Sequence, residues 1–145
     1  QALARRHEPG TDAGVLFLDV DNLKEVNDTW GHLVGDALLV ELADRLRQYS
    51  REEDTAGRLS GDEFMIVCER LDGLPDLLGV QERVRQALNV PVVAAGVPLQ
   101  LSVSVGGALA QGEDAATVVA RADANMYARK HPAKAGGRSP TTTQV

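Results

Sequence analysis

Four carboxylates stand where this chain could do chemistry. Asp19 and Asp21 follow an apolar run, Val15 to Leu18, and Asp62 and Glu63 sit in a tight polar segment between two further strand-like runs. A continuous apolar run suggests a strand buried on both faces, and open α/β sheets bind ligands at the carboxyl ends of such strands. If the strands on either side of the turn flank the first strand, these carboxylates converge on one sheet edge. Converging oxygen ligands suit Mg2+, a hard cation that takes one or two carboxylates and keeps waters and substrate phosphates for the rest. The plain alternative is that Asp21 caps the next helix and Asp62-Glu63 populates a solvated turn. Other chemistries lack their residues. No Gly-Lys pair is present, so a Walker phosphate loop is excluded. Neither G-x-S-x-G nor H-E-x-x-H occurs, and His7, His32 and His131 are too dispersed for a zinc site. Cys68 closes an apolar run and reads as core; as the only cysteine it excludes an internal disulfide and fits a reducing compartment.

The elements that must position these residues follow from periodicity. Residues 1–8 read as the end of a helix closed by Pro9-Gly10. A short helix is expected over Asn22–Asn27 and a longer one from about Leu33 to Tyr49, with Leu38, Leu42, Leu46 and Tyr49 on one inward stripe. Asp54–Leu59 and Phe64–Cys68 read as a hairpin around Ser60-Gly61-Asp62-Glu63. Leu74–Leu88 is a helix with Leu77, Val80, Val84 and Leu88 inward. Two strands, Pro91–Ala95 and Leu99–Ala108, are joined through Gly96, and a last helix over Asp114–Lys130 carries Val118, Val119, Ala122 and Met126 on one face. Helices alternating with strands suit one central sheet with helices packed over it. The expected fold is a single α/β domain.

Composition narrows the function classes. The chain has 145 residues, one domain's worth. Its net charge of −6 argues against a nucleic-acid surface, where basic residues supply most of the affinity. Five aromatics (Phe17, Trp30, Tyr49, Phe64, Tyr127) are too scattered for a base-stacking platform. The uncharged stretch from Gln86 to Gly112 is broken by Pro91, Gly96 and Pro98 and alternates with period two, so it reads as strand and not as a membrane span. The chain is expected to be soluble, with no direct membrane insertion.

Leu59-Ser60-Gly61-Asp62-Glu63-Phe64 closely resembles the signature of GGDEF domains, the diguanylate cyclases. Other segments agree with that family in order and spacing. Leu18-Asp19-Val20-Asp21-Asn22-Leu23-Lys24 with Val26-Asn27-Asp28 resembles its metal strand and following helix. Gly31-His32 and Gly35-Asp36 resemble its nucleotide-facing stretch, and Arg51-Glu52-Glu53-Asp54 its inhibitory R-x-x-D. Arg121-Ala122-Asp123 and Met126 to Lys130 resemble its final helix. The resemblance spans about residues 15–130. It implies a domain over 1–131 with a truncated start and a central mixed, mostly antiparallel sheet flanked by helices; the Gly/Ser/Thr/Pro-rich composition of 132–145 reads as a flexible tail.

The resemblance also implies a reaction: two GTP molecules held by facing copies of a transient homodimer are condensed into cyclic di-GMP with release of two pyrophosphates, in cytoplasmic bacterial signalling. The parent protein can be anchored to a membrane through other regions. Carried over by position, Asp19, Val20 (through its carbonyl) and Asp62 would hold Mg2+, or Mn2+ in its stead. Asp62, Glu63 and Lys24 would be catalytic, with Asp62 the proposed proton acceptor and Lys24 stabilising phosphate charge. Asn27, His32, Asp36, Gly61 and Lys130 would contact substrate, Asn27 and Asp36 meeting the guanine, whose O6 acceptor and N1/N2 donors an amide and a carboxylate can read. Arg51 and Asp54 would form an inhibitory site for the product, with Arg58 and Arg83 as secondary contacts. The competing assignment is a silent domain that binds cyclic di-GMP as a receptor, or one that only binds protein partners. Two departures from the family pattern bear on it. Ser60 replaces the signature's first glycine, a position where a side chain could clash with phosphate or strain the turn; serine is small and Gly61, the glycine most needed for close approach, is kept, so retained activity is expected. After Lys130 the usual run to Gly-Arg is altered, which leaves the further phosphate-contacting cation open between Lys134, Arg138 and neither.

Overall fold

The computed structural model describes residues 10–131. Its centre is β1 (Asp12–Val20), whose side chains alternate between two cores. Leu16, Leu18 and Val20 enter the larger core, while Val15 and Phe17 enter a smaller one with Ala108, Val118, Ala122 and Met126. Full burial of a Leu is worth about 1.5–3 kcal/mol, so a strand that feeds both faces is strongly fixed in register. After β1 come α1 (Leu23–Trp30), α2 (His32–Tyr49), β2 (Thr55–Ser60), β3 (Glu63–Leu71) and α3 (Gly73–Ala87). Then follow β4 (Pro91–Ala94), β5 (Val97–Gln100), β6 (Val103–Leu109) and α4 (Ala115–Lys130).

The central sheet has the order β2-β3-β1-β6, and each of its ladders is antiparallel. Helices α1, α2 and α3 contribute to the larger core on one face, and α4 covers the other. The single α/β domain with helices over a mostly antiparallel sheet is as expected. The closing strand differs. Leu99–Ala108 divides into β5, which pairs only with β4 in a separate two-stranded sheet, and β6, which joins the main sheet. Period-two alternation runs unbroken through Leu101, so the pattern hides a change of partner. The backbone marks it: Leu101 N–H donates to the Val90 carbonyl at 2.9 Å, and the Ser102 carbonyl accepts from Asp21 N–H at 2.9 Å. Tyr49 also departs from expectation, half-exposed where α2 runs out past the core. The expected opening helix over residues 1–8 and the tail from 132, with Lys134 and Arg138, lie outside the described residues.

Helix α4 sits very close to the sheet because β6 offers Gly106. A Cβ at that position would overlap the backbone of Met126. The helix starts on Asp114, whose Oδ1 accepts from Thr117 N–H at 2.9 Å, a standard N-cap. Close seating at Gly106 carries the last turn of α4 to the carboxyl end of β1. Among the described residues no helix is long and apolar enough to cross a membrane.

Candidate active site

Glu63, Asp19 and Ser104 form one row across β3, β1 and β6, since Asp19 is the register partner of both others. Side-chain alternation sets this row on the α4 face, and Lys130, at the end of α4, donates from Nζ to Asp19 Oδ2 at 2.9 Å. Asp62 joins from the β2–β3 turn, where its carbonyl accepts from Val20 N–H at 3.0 Å. The carboxylates therefore converge as expected, but through β3 alone. Only β3 of the hairpin flanks β1; β6 takes the other side.

Asp19 is poorly satisfied. Its side chain is 15% exposed, and Oδ1 is buried without a hydrogen-bond partner. Burial raises its pKa above the usual carboxylate range; Lys130 opposes that shift and the negative charge of Asp62 adds to it. Burial pushes the Lys130 ammonium the opposite way, yet the bond to Asp19 and the charges of Asp21 and Asp62 hold it above its ordinary value. A buried carboxylate oxygen without a donor is costly. A hard divalent cation is what such an oxygen accepts, and Asp19 with the neighbouring Asp62 offers two carboxylates of the chemistry that Mg2+ takes. Among the described residues no group of three or more His, Cys, Asp or Glu side chains is assembled for a metal. Backbone and non-protein oxygens would have to complete the shell.

Asp21 does not cap α1. The N-cap is Asn22, without a side-chain capping bond. Asp21 instead accepts from Ser104 Oγ at 2.6 Å and from Ser102 Oγ at 3.0 Å, and its Oδ1 lies 3.7 Å from Lys130 Nζ. The sequence missed both serines as site residues. Their one signal is their polarity at alternate positions of an apolar stretch, and it acquires meaning only once β6 is known to flank β1.

The signature turn tolerates its serine. Positive φ outside glycine is confined, among the described residues, to Arg70 and Ala95, so Ser60 is not strained. Its hydroxyl donates to Glu63 Oε1 at 2.9 Å. A Cβ at Gly61 would meet nothing within 4 Å, so the protein itself does not require glycine there. Arg58 closes the turn, donating from Nε and Nη2 to the Gly61 carbonyl at 3.0 and 2.7 Å.

Beside the turn lies a cavity of about 460 Å3 between α2 and β2, lined by Asp36, Leu39, Val40, Ala43, Arg58 and Phe64 among others. Asn27 packs where a Cβ at Gly35 would overlap its Oδ1, and that oxygen is buried without a partner. His32 is exposed at the first position of α2. Lys24 is not drawn to the carboxylate row: it is 91% exposed and pairs with Asp28 at 3.0 Å.

Arg51 and Asp54 make a clasp that is more than a loose surface pair. The Asp54 carboxylate is fully buried and accepts from Arg51 N–H at 3.0 Å and from Nη2 at 3.0 Å. Arg51 Nη2 also donates to the Glu69 carbonyl at 2.8 Å. Hydrogen bonding to Asp54 raises the guanidinium pKa further. Arg83 lies on α3 in a separate groove of about 350 Å3 with Arg45 and Tyr49, whereas Arg58 belongs to the signature turn.

Known proteins resemble this chain in sequence and fold. The chain is 36% identical over 121 residues to the diguanylate cyclase DgcN of Escherichia coli, covering 82% of this chain and 30% of that protein. It is similar to the crystal structure of the GGDEF domain of the Pseudomonas aeruginosa protein YfiN or TpbB, with a TM-score of 0.80 and 34% identity over 84% of this chain and 78% of that one. It is also similar to the GGDEF domain of DgcB from Caulobacter crescentus in complex with c-di-GMP, with a TM-score of 0.74 and 30% identity over 89% and 75%. The chain spans 18–32% of the length of the first curated relatives it matches. Residues 1–135 match the family model described as diguanylate cyclase, GGDEF domain, and the chain belongs to that family.

Proposed function

We propose that this domain condenses two GTP molecules into cyclic di-GMP, each copy holding one nucleotide. The observation that carries the reading is the half-buried pair of Asp19 and Asp62, with the Asp19 oxygen that no protein donor satisfies. Bound Mg2+ would supply charge neutralisation at the phosphate and a more acidic 3′-hydroxyl. The chain's own groups do the rest. Asp62 accepts the hydroxyl proton, with Glu63 completing the acidic site and braced by Ser60. Lys130 and, after leaving Asp28, Lys24 neutralise the phosphates. Asn27 and Asp36 read guanine beside the α2–β2 cavity, with His32 at its approach and Gly61 leaving the turn open for the nucleotide. The unstrained Ser60 argues for an active domain over a silent one.

Product inhibition at Arg51 and Asp54 is part of the same proposal. Arg51 is partly exposed while Asp54 is sealed beneath it, so a dinucleotide would meet the guanidinium first. Arg83 and Arg58 are its secondary contacts, Arg83 from the α3 surface. The DgcB structure, a relative crystallised with c-di-GMP, supports product recognition by this kind of domain.

The test is incubation with GTP and Mg2+ at high protein concentration, followed by chromatographic separation and mass identification of products. Cyclic di-GMP and pyrophosphate in a one-to-two ratio are expected. No product, together with tight cyclic di-GMP binding by calorimetry, would make the domain a receptor instead.

A further inference from the structure

Asp21 takes no part in the proposed reaction, yet it is the most deliberately held carboxylate of the cluster. Both its oxygens accept hydroxyl protons, Oδ1 from Ser104 at 2.6 Å and Oδ2 from Ser102 at 3.0 Å. Its backbone N–H donates to the Ser102 carbonyl at 2.9 Å, and the next residue, Asn22, donates from Nδ2 to the Gln100 carbonyl at 2.9 Å. The end of β1 is thus stitched to the β5–β6 link, and the Asp21 carboxylate has little freedom left. Lys130 Nζ stands between the two aspartates, 2.9 Å from Asp19 Oδ2 and 3.7 Å from Asp21 Oδ1.

That position creates a conflict. The ammonium occupies one oxygen of the carboxylate that the proposed metal site needs, and two cations on Asp19 would repel strongly in a half-buried setting. Asp19 Oδ1 is free to take a cation, but a cation there repels the ammonium on Oδ2 and drives Lys130 away from Asp19, and a half-buried ammonium released without a counter-ion would incur a desolvation cost. Asp21 resolves this, because it offers a fixed, charged acceptor within a small displacement. We propose that Asp21 is a positioning residue that receives the Lys130 ammonium when a divalent cation takes Asp19, so keeping Lys130 in the site beside the bound phosphates. The inference rests on the metal reading of Asp19.

The test is a double-mutant cycle read by binding. Mn2+ alone is titrated into the parent, Asp21→Asn, Lys130→Met and the double variant, with free Mn2+ followed by electron paramagnetic resonance. Asp21→Asn is isosteric and keeps groups able to bond both serines; circular dichroism checks that each variant is folded. Lys130→Met should tighten Mn2+ binding. Asp21→Asn should weaken it about tenfold or more when Lys130 is present, but only about threefold or less in the Lys130→Met background, where nothing needs to be received. Equal losses in the two backgrounds would reduce Asp21 to a through-space charge and overturn the inference while leaving the metal site standing. Mn2+ binding by none of the four proteins would overturn the metal reading and the inference with it.

Discussion

Removing either proposed ligand should separate activity from folding. Asp19 carries an oxygen the protein leaves unsatisfied and a carboxyl group that burial pushes towards its neutral form. Burial offsets what its ion pair with Lys130 contributes, and Asp21 stands 3.7 Å from the same ammonium, so Asp19→Asn should cost the fold little, while Asp19→Asn and Asp62→Ala should each abolish cyclic di-GMP formation. Thermal denaturation should show midpoints within about 4 °C of the parent; a collapse of stability would make the cluster structural. Cys68 tests the opposite kind of residue. Burial, with Asp54 adding and Arg51 opposing, pushes its thiol up to about 12. The folded state keeps the proton where the unfolded chain would lose it, so this contribution to stability is full below an unfolded thiol's range and falls as pH rises towards 12. At pH 8 iodoacetamide should modify Cys68 only on unfolding, as mass spectrometry would register; rapid labelling of the native protein would contradict its burial. Both assignments are legible in the sequence, because Asp19 follows an apolar run and Cys68 lies within one. Asp21 is not. Its neighbours in sequence suggest a helix cap, and its actual partners stand more than 80 residues away on a strand whose pairing no local pattern reveals.

At the scale of elements, hydrophobic period located the buried stripe of α3 and most of those of α2 and α4, but neither the buried Val26 of α1 nor the sheet partners. Leu77, Val80, Val84 and Leu88 are all buried, as their spacing requires. The division of Leu99–Ala108 escaped because both halves keep the same alternation. Glycine carries what periodicity does not. A Cβ at Gly106 overlaps the backbone of Met126, one helical turn before Lys130. Gly106→Ala should thus lift α4, cost about 1–3 kcal/mol or more by overpacking, and withdraw Lys130 from Asp19. Denaturant unfolding would give the first quantity, and a weakened affinity for GTP the second; an unchanged unfolding midpoint would mean that α4 seats less tightly than described. The Arg51–Asp54 clasp joins the loop after α2 to β3 through the Glu69 carbonyl. Arg51→Ala strands a fully buried carboxylate, at a cost of about 3–5 kcal/mol. Urea unfolding should register that loss, and for this reason Arg83→Ala is the cleaner probe of product inhibition. If Arg51→Ala unfolds like the parent, the clasp contributes nothing to the fold.

For the whole molecule, one copy supplies one carboxylate row with one cavity beside the signature turn, whereas the proposed product has two equivalent halves. Attack of each 3′-hydroxyl on the other nucleotide then requires two domains face to face. Each carries a net charge of −6, so two copies repel at long range, and salt screens that repulsion over a Debye length of about 8 Å at physiological ionic strength. A bound metal nucleotide leaves phosphate charge at the same edge, where Lys24 and Lys130 are the cations at hand. Encounter between loaded domains should therefore limit turnover. Synthesis per chain should rise with protein concentration and, at fixed concentration, rise with salt before specific contacts weaken. Joining two copies through a flexible linker should remove the concentration dependence by raising the effective concentration to the millimolar range. Sedimentation and initial rates measured over one dilution series decide the matter. A monomer whose specific activity holds constant on dilution would show that one chain completes the reaction alone, and the two-half-site reading would fall.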